Sequence, residues 1–153
     1  MAYHILDHPL VRCLLSRLRN RDTQPSEFRL LVAQITTFLG IEATKDLALQ
    51  AITVHTPISA TQGHQLKNSI AIVPVLRAGL GMAEPLFDLL PQAAVRHVGL
   101  FRDESSLLPV TYYQKLPRTP AELALVVDPM LATGGTAIAT ITMMKEWGVA
   151  DIR

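Results

Sequence analysis

Residues 121–136 read AELALVVDPMLATGGT, and this stretch decides the fold. Its apolar, partly β-branched run 123–127 is typical of a strand that is buried on both faces. Because proline cannot continue a central strand, the strand is predicted to end at Asp128, immediately before a proline. A Gly-Gly turn at 134–135 follows, and then come residues at helical spacing: Ala137, Ile138, Ile141, Met144 and Lys145. The stretch therefore predicts a strand, a tight loop and the start of a helix.

The turn between this strand and this helix has the chemistry of an anion site. Small residues leave backbone N–H groups available at the positive end of the helix dipole, and the hydroxyls of Thr133 and Thr136 add donors. Asp128 cannot be there to bind phosphate, but its carboxylate suits the hydroxyls of a sugar, which donate hydrogen bonds. Phosphate and polyol together indicate a ribose 5-phosphate group. The alternative is an ordinary strand–turn–helix connection, since short Gly-Gly motifs recur by chance.

The composition is typical of one globular domain. The chain has 153 residues, 49% hydrophobic and 18% charged, and its net charge of +1 gives no argument for nucleic acid or an anionic membrane. No apolar run approaches the about 20 residues that a membrane helix needs, and the N-terminus lacks a signal-peptide layout. The single cysteine excludes an internal disulfide, which fits a reducing compartment. We expect a cytoplasmic protein with a single domain over residues 1–153.

Two helices are predicted near the N-terminus. A proline suits the first helical position behind Asp7 or His8 as the cap, and the apolar stripe that follows places Cys13 in the core. The arginines of this helix are interpreted as a solvated face, with a phosphate patch as the alternative. A second helix is predicted to begin near 23–27, and Gly40 is interpreted as its C-terminal cap or a break.

Strands alternate with helices in the rest of the chain. Residues 47–68 are interpreted as a strand, a turn and a return strand, and 69–76 as an apolar strand that Pro74 ends or confines to an irregular edge. A glycine-containing turn and a helix follow, and 94–101 form the next strand. The aromatic, proline-bounded segment 109–117 is predicted to be a projecting hairpin or flap. The alternation predicts an α/β fold, a parallel sheet flanked by helices.

Polar residues follow three successive apolar strands. Arg77, Arg102 and Asp128 each stand where a strand ends, and ligands bind at the carboxyl ends of the strands in such sheets. Each residue alone has a plain explanation, because loops are polar in general. Their shared position predicts one site that combines two guanidinium groups with a carboxylate.

Five segments of the chain resemble the uracil phosphoribosyltransferases of the type I phosphoribosyltransferase superfamily. They occur in the order found in that family, and they are HPLV (8–11), VPVLRAGLGM (73–82), GLFRDE (99–104), YYQKLP (112–117) and VVDPMLATGGT (126–136). In many superfamily members the last strand ends in two adjacent acids. Here Pro129 takes the second place, and that variant is similar to the one in uracil phosphoribosyltransferases.

The resemblance implies transfer of a phosphoribosyl group from phosphoribosyl pyrophosphate (PRPP) to uracil, which gives UMP and pyrophosphate with Mg²⁺. Arg77 and Arg102 would bind the pyrophosphate and Asp128 the ribose hydroxyls, so that these three are the expected catalytic residues. The remaining expected PRPP contacts are Pro129, Met130, Leu131, Ala132, Thr133, Gly134, Gly135 and Thr136. Mg²⁺ is expected to be held mainly through PRPP oxygens, without protein metal ligands. Catalysis would then rest on positioning and leaving-group stabilisation.

Further expectations follow from the same resemblance. The partners are PRPP and uracil, GTP is a candidate activator because it regulates some relatives, and a homo-oligomer is expected. Tyr112, Tyr113 and Lys115 belong either to a flap over the site or to a surface hairpin or subunit contact. Family members continue beyond residue 153 through a further strand and a segment that recognises uracil. The chain is therefore expected to be truncated at the C-terminus, to lack the last strand or strands, and to have weak or no activity unaided.

Two rival interpretations remain. A dinucleotide-dependent oxidoreductase would use Gly79-x-Gly81, but Glu84 stands where the third glycine is wanted, and an acid near pyrophosphate has the wrong charge. A regulatory module that binds PRPP or a nucleotide without turnover would keep the phosphate loop. Its RNA-binding version is disfavoured by the near-neutral charge and by the 5% aromatic content.

Overall fold

The computed structural model describes residues 4–102 and 109–153. These residues form four helices and eight strands. Their bounds are α1 Pro9–Leu18, α2 Pro25–Thr44, β1 Leu49–His55, β2 Ala60–Leu66, β3 Ile70–Leu76, α3 Leu80–Leu89, β4 Ala94–Val95, β5 Val98–Arg102, β6 Pro109–Gln114, β7 Leu123–Val127, α4 Gly135–Trp147 and β8 Asp151–Ile152. None of the helices in this part of the chain is long and apolar enough to cross a membrane.

The main sheet has the strand order β6-β5-β3-β7-β8, and the short β4 also pairs with β3. Strands β3, β4, β5, β7 and β8 run parallel, as the alternation of strands and helices predicts. Strand β6 runs antiparallel to β5, so the sheet is mixed at this edge. Residues 109–114 therefore form one arm of a hairpin with β5 at the edge of the main sheet, so the predicted hairpin is shared with β5 rather than lying wholly within 109–117.

The sheet is covered on both faces because the residues of its central strands alternate. In β3, Ile70 and Ile72 pack on one side with Leu86 of α3, and the α2 residue Val32 lies against this cluster. The intervening residues of β3 face α4, where they pack against Met143 and Met144 together with Val98 of β5. Successive side chains of a strand point to opposite faces, so an apolar run such as IAIVPV is buried throughout.

Pro74 lies inside the central strand, which contradicts the expectation that it ends the strand or marks an edge. It is buried and opposite Val127 in the pairing of β3 with β7. On the other side of β3, the pairing with β4 ends at Ile72 and the pairing with β5 begins at Val75. Pro74 therefore lies in a gap between two sets of strand pairings. A proline has no N–H to donate, and the interruption removes the need for one.

Two predictions for the N-terminal helices are wrong. Gly40 lies inside α2 rather than at its end, and a Cβ there would lie 2.5 Å from Cδ2 of Leu86, so the glycine permits close packing of α2 on α3. Cys13 is exposed, because α1 packs on α2 and buries only Val11 among its residues. The predicted start of α1 is confirmed, since Nδ1 of His8 accepts the N–H of Leu10 at 3.2 Å.

Strands β1 and β2 confirm the predicted strand, turn and return strand in 47–68. They form a two-stranded antiparallel sheet of their own, paired from Leu49↔Leu66 to His55↔Ala60. In each strand every residue is exposed except the central one, which is Ile52 in β1 and Gly63 in β2. This hairpin is therefore exposed along nearly its whole length.

Candidate active site

The candidate site lies at the carboxyl edge of the main sheet. Strands β5, β3 and β7 are neighbours and parallel, so Arg102 at the end of β5, Arg77 after β3 and Asp128 after β7 come to the same edge. This placement agrees with the predicted convergence of the three strand ends. The backbone of Arg102 is opposite Pro109 in the pairing of β5 with β6.

The loop after β7 leads into a helix whose first turn has no side-chain cap. Gly134 precedes α4 with φ of 80°, in the left-handed region, and its carbonyl accepts the N–H of Ile138 at 2.8 Å. A residue with a Cβ is strained at this φ, whereas glycine adopts it readily. The N–H groups in the first turn of a helix have no partner within the helix, so they are available as donors, and their binding of an anion stays a prediction.

Asp128 is half-buried at the start of this loop. Its Oδ1 accepts the backbone N–H of Met130 at 3.3 Å, which closes a local turn and orients the carboxylate. No other hydrogen bond to this carboxylate is found in residues 4–102 and 109–153. One carboxylate oxygen can therefore serve a ligand that brings hydroxyl donors.

The loop after β3 packs directly on the end of β7. A Cβ at Gly79 would lie 2.4 Å from the carbonyl oxygen of Val127 and 2.6 Å from the backbone nitrogen of Val75, so only a glycine fits. The Gly79 N–H also donates to the Val75 carbonyl at 2.8 Å, and the Leu76–Arg77 peptide bond is cis. The sequence alone predicted only that Gly79 lies in a turn before a helix. Its contact with Val127 shows that it holds the Arg77 loop beside the residue that precedes Asp128.

A cavity of about 710 Å³ contains most of the predicted PRPP contacts. Of the residues predicted from the sequence, those that line it are Asp128, Met130, Leu131, Ala132, Thr133, Gly134, Gly135 and Thr136. Pro129, Arg77 and Arg102 are not among its lining residues. Met130 and Leu131 are exposed by 76% and 73%, so the outer wall of the loop is apolar and open to solvent.

Sequence reasoning missed the far wall of the cavity. Lys145 lines it from α4, at a spacing of four residues from Ile141 and eight from Ala137, and this helical spacing was the available signal. Arg153 also lines it and pairs with Asp151 and Asp46, which raises the pKa of the arginine. The same ion pair with Arg153 lowers the pKa of the Asp46 carboxyl. No sequence pattern connects Arg153 with Asp46, because only the fold brings them together.

Two other expectations concern metals and the aromatic segment. The described residues contain no group of three or more His, Cys, Asp or Glu that could hold a metal ion. Tyr112 and Tyr113 are exposed on β6, and the ring of Tyr112 lies 6.3 Å from that of Phe101. Whether these tyrosines shield the site stays a prediction.

Comparison with known proteins identifies the family. Residues 5–153 match the family described as Uracil phosphoribosyltransferase. The uracil phosphoribosyltransferase of Roseiflexus castenholzii is 51% identical over 150 residues, which are 97% of this chain and 72% of the relative. That of Brevibacillus brevis is 44% identical over 152 residues, which are 98% of this chain and 73% of the relative.

Solved structures agree with this assignment. The AQ2163 protein from Aquifex aeolicus superposes with a TM-score of 0.89 at 32% identity, over 96% of this chain and 71% of that one. A hypoxanthine phosphoribosyltransferase from Staphylococcus aureus, at 13% identity over 81% of this chain and 60% of that one, shares the fold with a TM-score of 0.57. With the strand order, the glycine-based loop and the sequence match in agreement, the chain belongs to the uracil phosphoribosyltransferase family.

Proposed function

We propose that this protein transfers the phosphoribosyl group of PRPP to uracil and releases pyrophosphate and UMP. The observation that carries the proposal is the loop 128–136, in which a half-buried carboxylate and an uncapped helix N-terminus line one cavity. The family membership and the names of the relatives give the substrates. The proposal thus assigns a chemistry to a site whose residues were first identified from sequence alone.

Each part of the site has a role in this reaction. The amides and hydroxyls of 132–136 bind the 5-phosphate, and Asp128 accepts hydrogen bonds from the ribose hydroxyls. Displacement at the anomeric carbon develops positive charge on the sugar and negative charge on the departing pyrophosphate. Arg77 and Arg102 stabilise that leaving group with charge-assisted hydrogen bonds. No protein nucleophile is required, and the rate enhancement comes from positioning and electrostatics.

Mg²⁺ fits the donor set of this site. Asp128 supplies a hard oxygen donor in the cavity, and Mg²⁺ is commonly bound through one or two carboxylates together with substrate phosphates. When bound, the ion would offset negative charge on the pyrophosphate. The oxygens of PRPP would hold it for the most part, beside the Asp128 carboxylate in the cavity.

Calorimetric titration of PRPP with Mg²⁺ into the purified protein tests the first half of the proposal. We expect saturable binding that Asp128→Asn weakens by about tenfold, because hydrogen bonds to a charged acceptor are worth about 1.5–3 kcal/mol. Asp88→Asn, an exposed acid on α3, is the matched control and should leave the affinity unchanged. Absence of PRPP binding by the folded protein would refute the proposed function.

Formation of UMP from PRPP and uracil tests the second half. Turnover that needs both substrates supports the transferase, whereas PRPP binding without turnover would favour the regulatory module. The expectation of weak activity by the chain unaided stays a prediction that the same assay checks. Activation by GTP and a homo-oligomeric state stay predictions of the resemblance, and a cytoplasmic location stays a prediction from the composition.

A further inference from the structure

A second cavity, of about 740 Å³, opens at the opposite, amino edge of the main sheet. The residues before β3 and β7, the start of β4 and the carboxyl ends of α3 and α4 surround it. None of the residues assigned to PRPP lines this cavity. We call it the Arg96 cleft, after the arginine in its wall.

The backbone of Arg96 is anchored by a hydrogen bond, but its side chain has a donor without an acceptor. It lies between β4 and β5, and its backbone N–H donates to the Ile72 carbonyl at 2.8 Å, which anchors it to the central strand. Its side-chain Nε is buried and has no hydrogen-bond partner, and it is the one buried side-chain nitrogen or oxygen in this condition in the part of the chain that the structure describes. A buried donor of a charged group that lacks an acceptor costs free energy. An acceptor in the cleft would remove this cost once the guanidinium turns Nε toward it.

The charge around the cleft is positive. Lys67 and His64 line it together with Arg96, and no aspartate or glutamate is among its lining residues. The Glu122 carboxylate adjoins the cleft, since it accepts the N–H of the lining residue Ser69 at 2.7 Å and attracts the charge of Lys67, which leaves Arg96 as the cation without an acid partner among the described residues. The carboxyl ends of α3 and α4 carry partial negative charge, which offsets the burial of a guanidinium but gives Nε no acceptor.

One part of the wall is apolar. Leu90, Pro91 and Pro120 contribute aliphatic surface, and the indole of Trp147 lies beside them. The indole nitrogen donates to the Pro117 carbonyl at 2.7 Å, which fixes the ring orientation. A flat aromatic group packs well against a fixed indole and proline rings.

We propose that the Arg96 cleft binds a small aromatic oxyanion, an aryl phosphate or an aryl carboxylate. The oxyanion accepts hydrogen bonds from the Arg96 fork, after a rotation of the guanidinium that turns Nε toward the cleft, and Lys67 adds charge. The aromatic body lies against Trp147 and the prolines. The 13-residue helix α4 separates Trp147 from the loop at Gly134 by about 20 Å, so the two sites are distinct.

The fluorescence of Trp147 tests this proposal directly, because the chain has one tryptophan and it lines the cleft. Phenyl phosphate and benzoate are titrated into the full chain, with benzyl alcohol as the neutral aromatic and inorganic phosphate as the bare anion. We expect saturable quenching by at least one aromatic oxyanion, and weaker binding of both comparison compounds. Arg96→Gln should weaken the binding of the aromatic oxyanion by about tenfold, and Arg96→Lys should keep only part of the parent's affinity.

Two control variants locate the response. Arg21→Gln and Arg29→Gln each remove an exposed arginine that does not line the cleft, and neither should change the quenching curve. A curve that is flat for both aromatic anions, equal for benzyl alcohol, or unchanged in Arg96→Gln would overturn the proposal. Because PRPP binding is measured separately by calorimetry, failure here leaves the proposed transferase function standing.

Discussion

The two loops at the carboxyl edge of the sheet both depend on glycine, but for opposite physical reasons. Gly79 has an ordinary helical φ of −61°, and it is required because backbone atoms of Val127 and Val75 occupy the place of a Cβ. Gly134 has open space around it, with no atom within 4 Å of a Cβ, and it is required because its φ is 80°. Gly79 lets two strand ends approach closely, and Gly134 shapes the turn that we propose binds phosphate. Stability and ligand binding should therefore separate between them.

Gly79→Ala should give the largest loss of stability. The added Cβ meets backbone atoms that cannot rotate away, so we expect a loss of about 3 kcal/mol in the free energy of unfolding, at the upper end for overpacking. Urea denaturation followed by circular dichroism measures it. Gly81→Ala is the matched control, since its Cβ would meet nothing closer than Val32 at 3.9 Å, and it should stay within about 1 kcal/mol of the parent. Equal stability of the two variants would contradict the close approach.

Gly134→Ala should lower the stability less than Gly79→Ala does, but it should weaken PRPP binding more. A left-handed φ costs a residue with a Cβ about 1–2 kcal/mol, and the loop can relax only by redirecting its amides. We expect a loss of stability of that size and about tenfold weaker PRPP binding by calorimetry.

Gly148→Ala separates the two effects of Gly134→Ala. Gly148 has a φ of 100° at the other end of the same helix, so its replacement should cost similar stability. It lies outside the phosphate loop, and PRPP binding should be unchanged. If both variants lost PRPP affinity equally, the effect would come from α4 as a whole rather than from the turn.

The smallest effect is expected at the amino edge, where Glu122 joins the starts of β3 and β7. Its carboxylate accepts the backbone N–H of Ser69, and this hydrogen bond holds the pKa of Glu122 below its ordinary range. A carboxyl whose folded pKa is lowered stabilises the protein above its unfolded pKa, about 4.3, and this contribution is lost as pH falls through the folded value.

Glu122→Gln tests this contribution through the melting temperature. Between about pH 6 and pH 3, the melting temperature of the variant should fall by less than that of the parent. Glu146→Gln, an exposed glutamate of α4, should follow the parent curve. A variant curve parallel to the parent curve would show that this carboxylate adds no pH-dependent stability.

Local signals in the sequence were sufficient for the strand–loop–helix unit at 123–147. The apolar run, the proline and the two glycines act within a few residues of one another, so their consequences can be predicted without the rest of the fold. The convergence of Arg77, Arg102 and Asp128 was also predictable, because parallel neighbouring strands end at one edge.

The errors concern residues whose environment is set by distant partners. Pro74 is acceptable in a central strand because the ladder beside it is interrupted, and Gly40 lies inside α2 because α3 packs there. Cys13 lies in an apolar pattern, but the fold covers only one narrow face of its helix. Lys145 and Arg153 reach the cavity through tertiary contacts, and the close approach of Gly79 to Val127 depends on two segments far apart in sequence.

The pairing of β3 with β7 has a consequence for how the protein reaches its folded state. It brings together residues such as Ile70 and Leu123, 53 positions apart, with a helix and three strands between them. Contacts of such long sequence separation close slowly, because loop entropy must be overcome before they give any gain. The two halves of the proposed PRPP site come together through this pairing, so a partly folded chain has no complete place for PRPP. On that proposal the substrate binds the native state alone and shifts the folding equilibrium toward it by mass action.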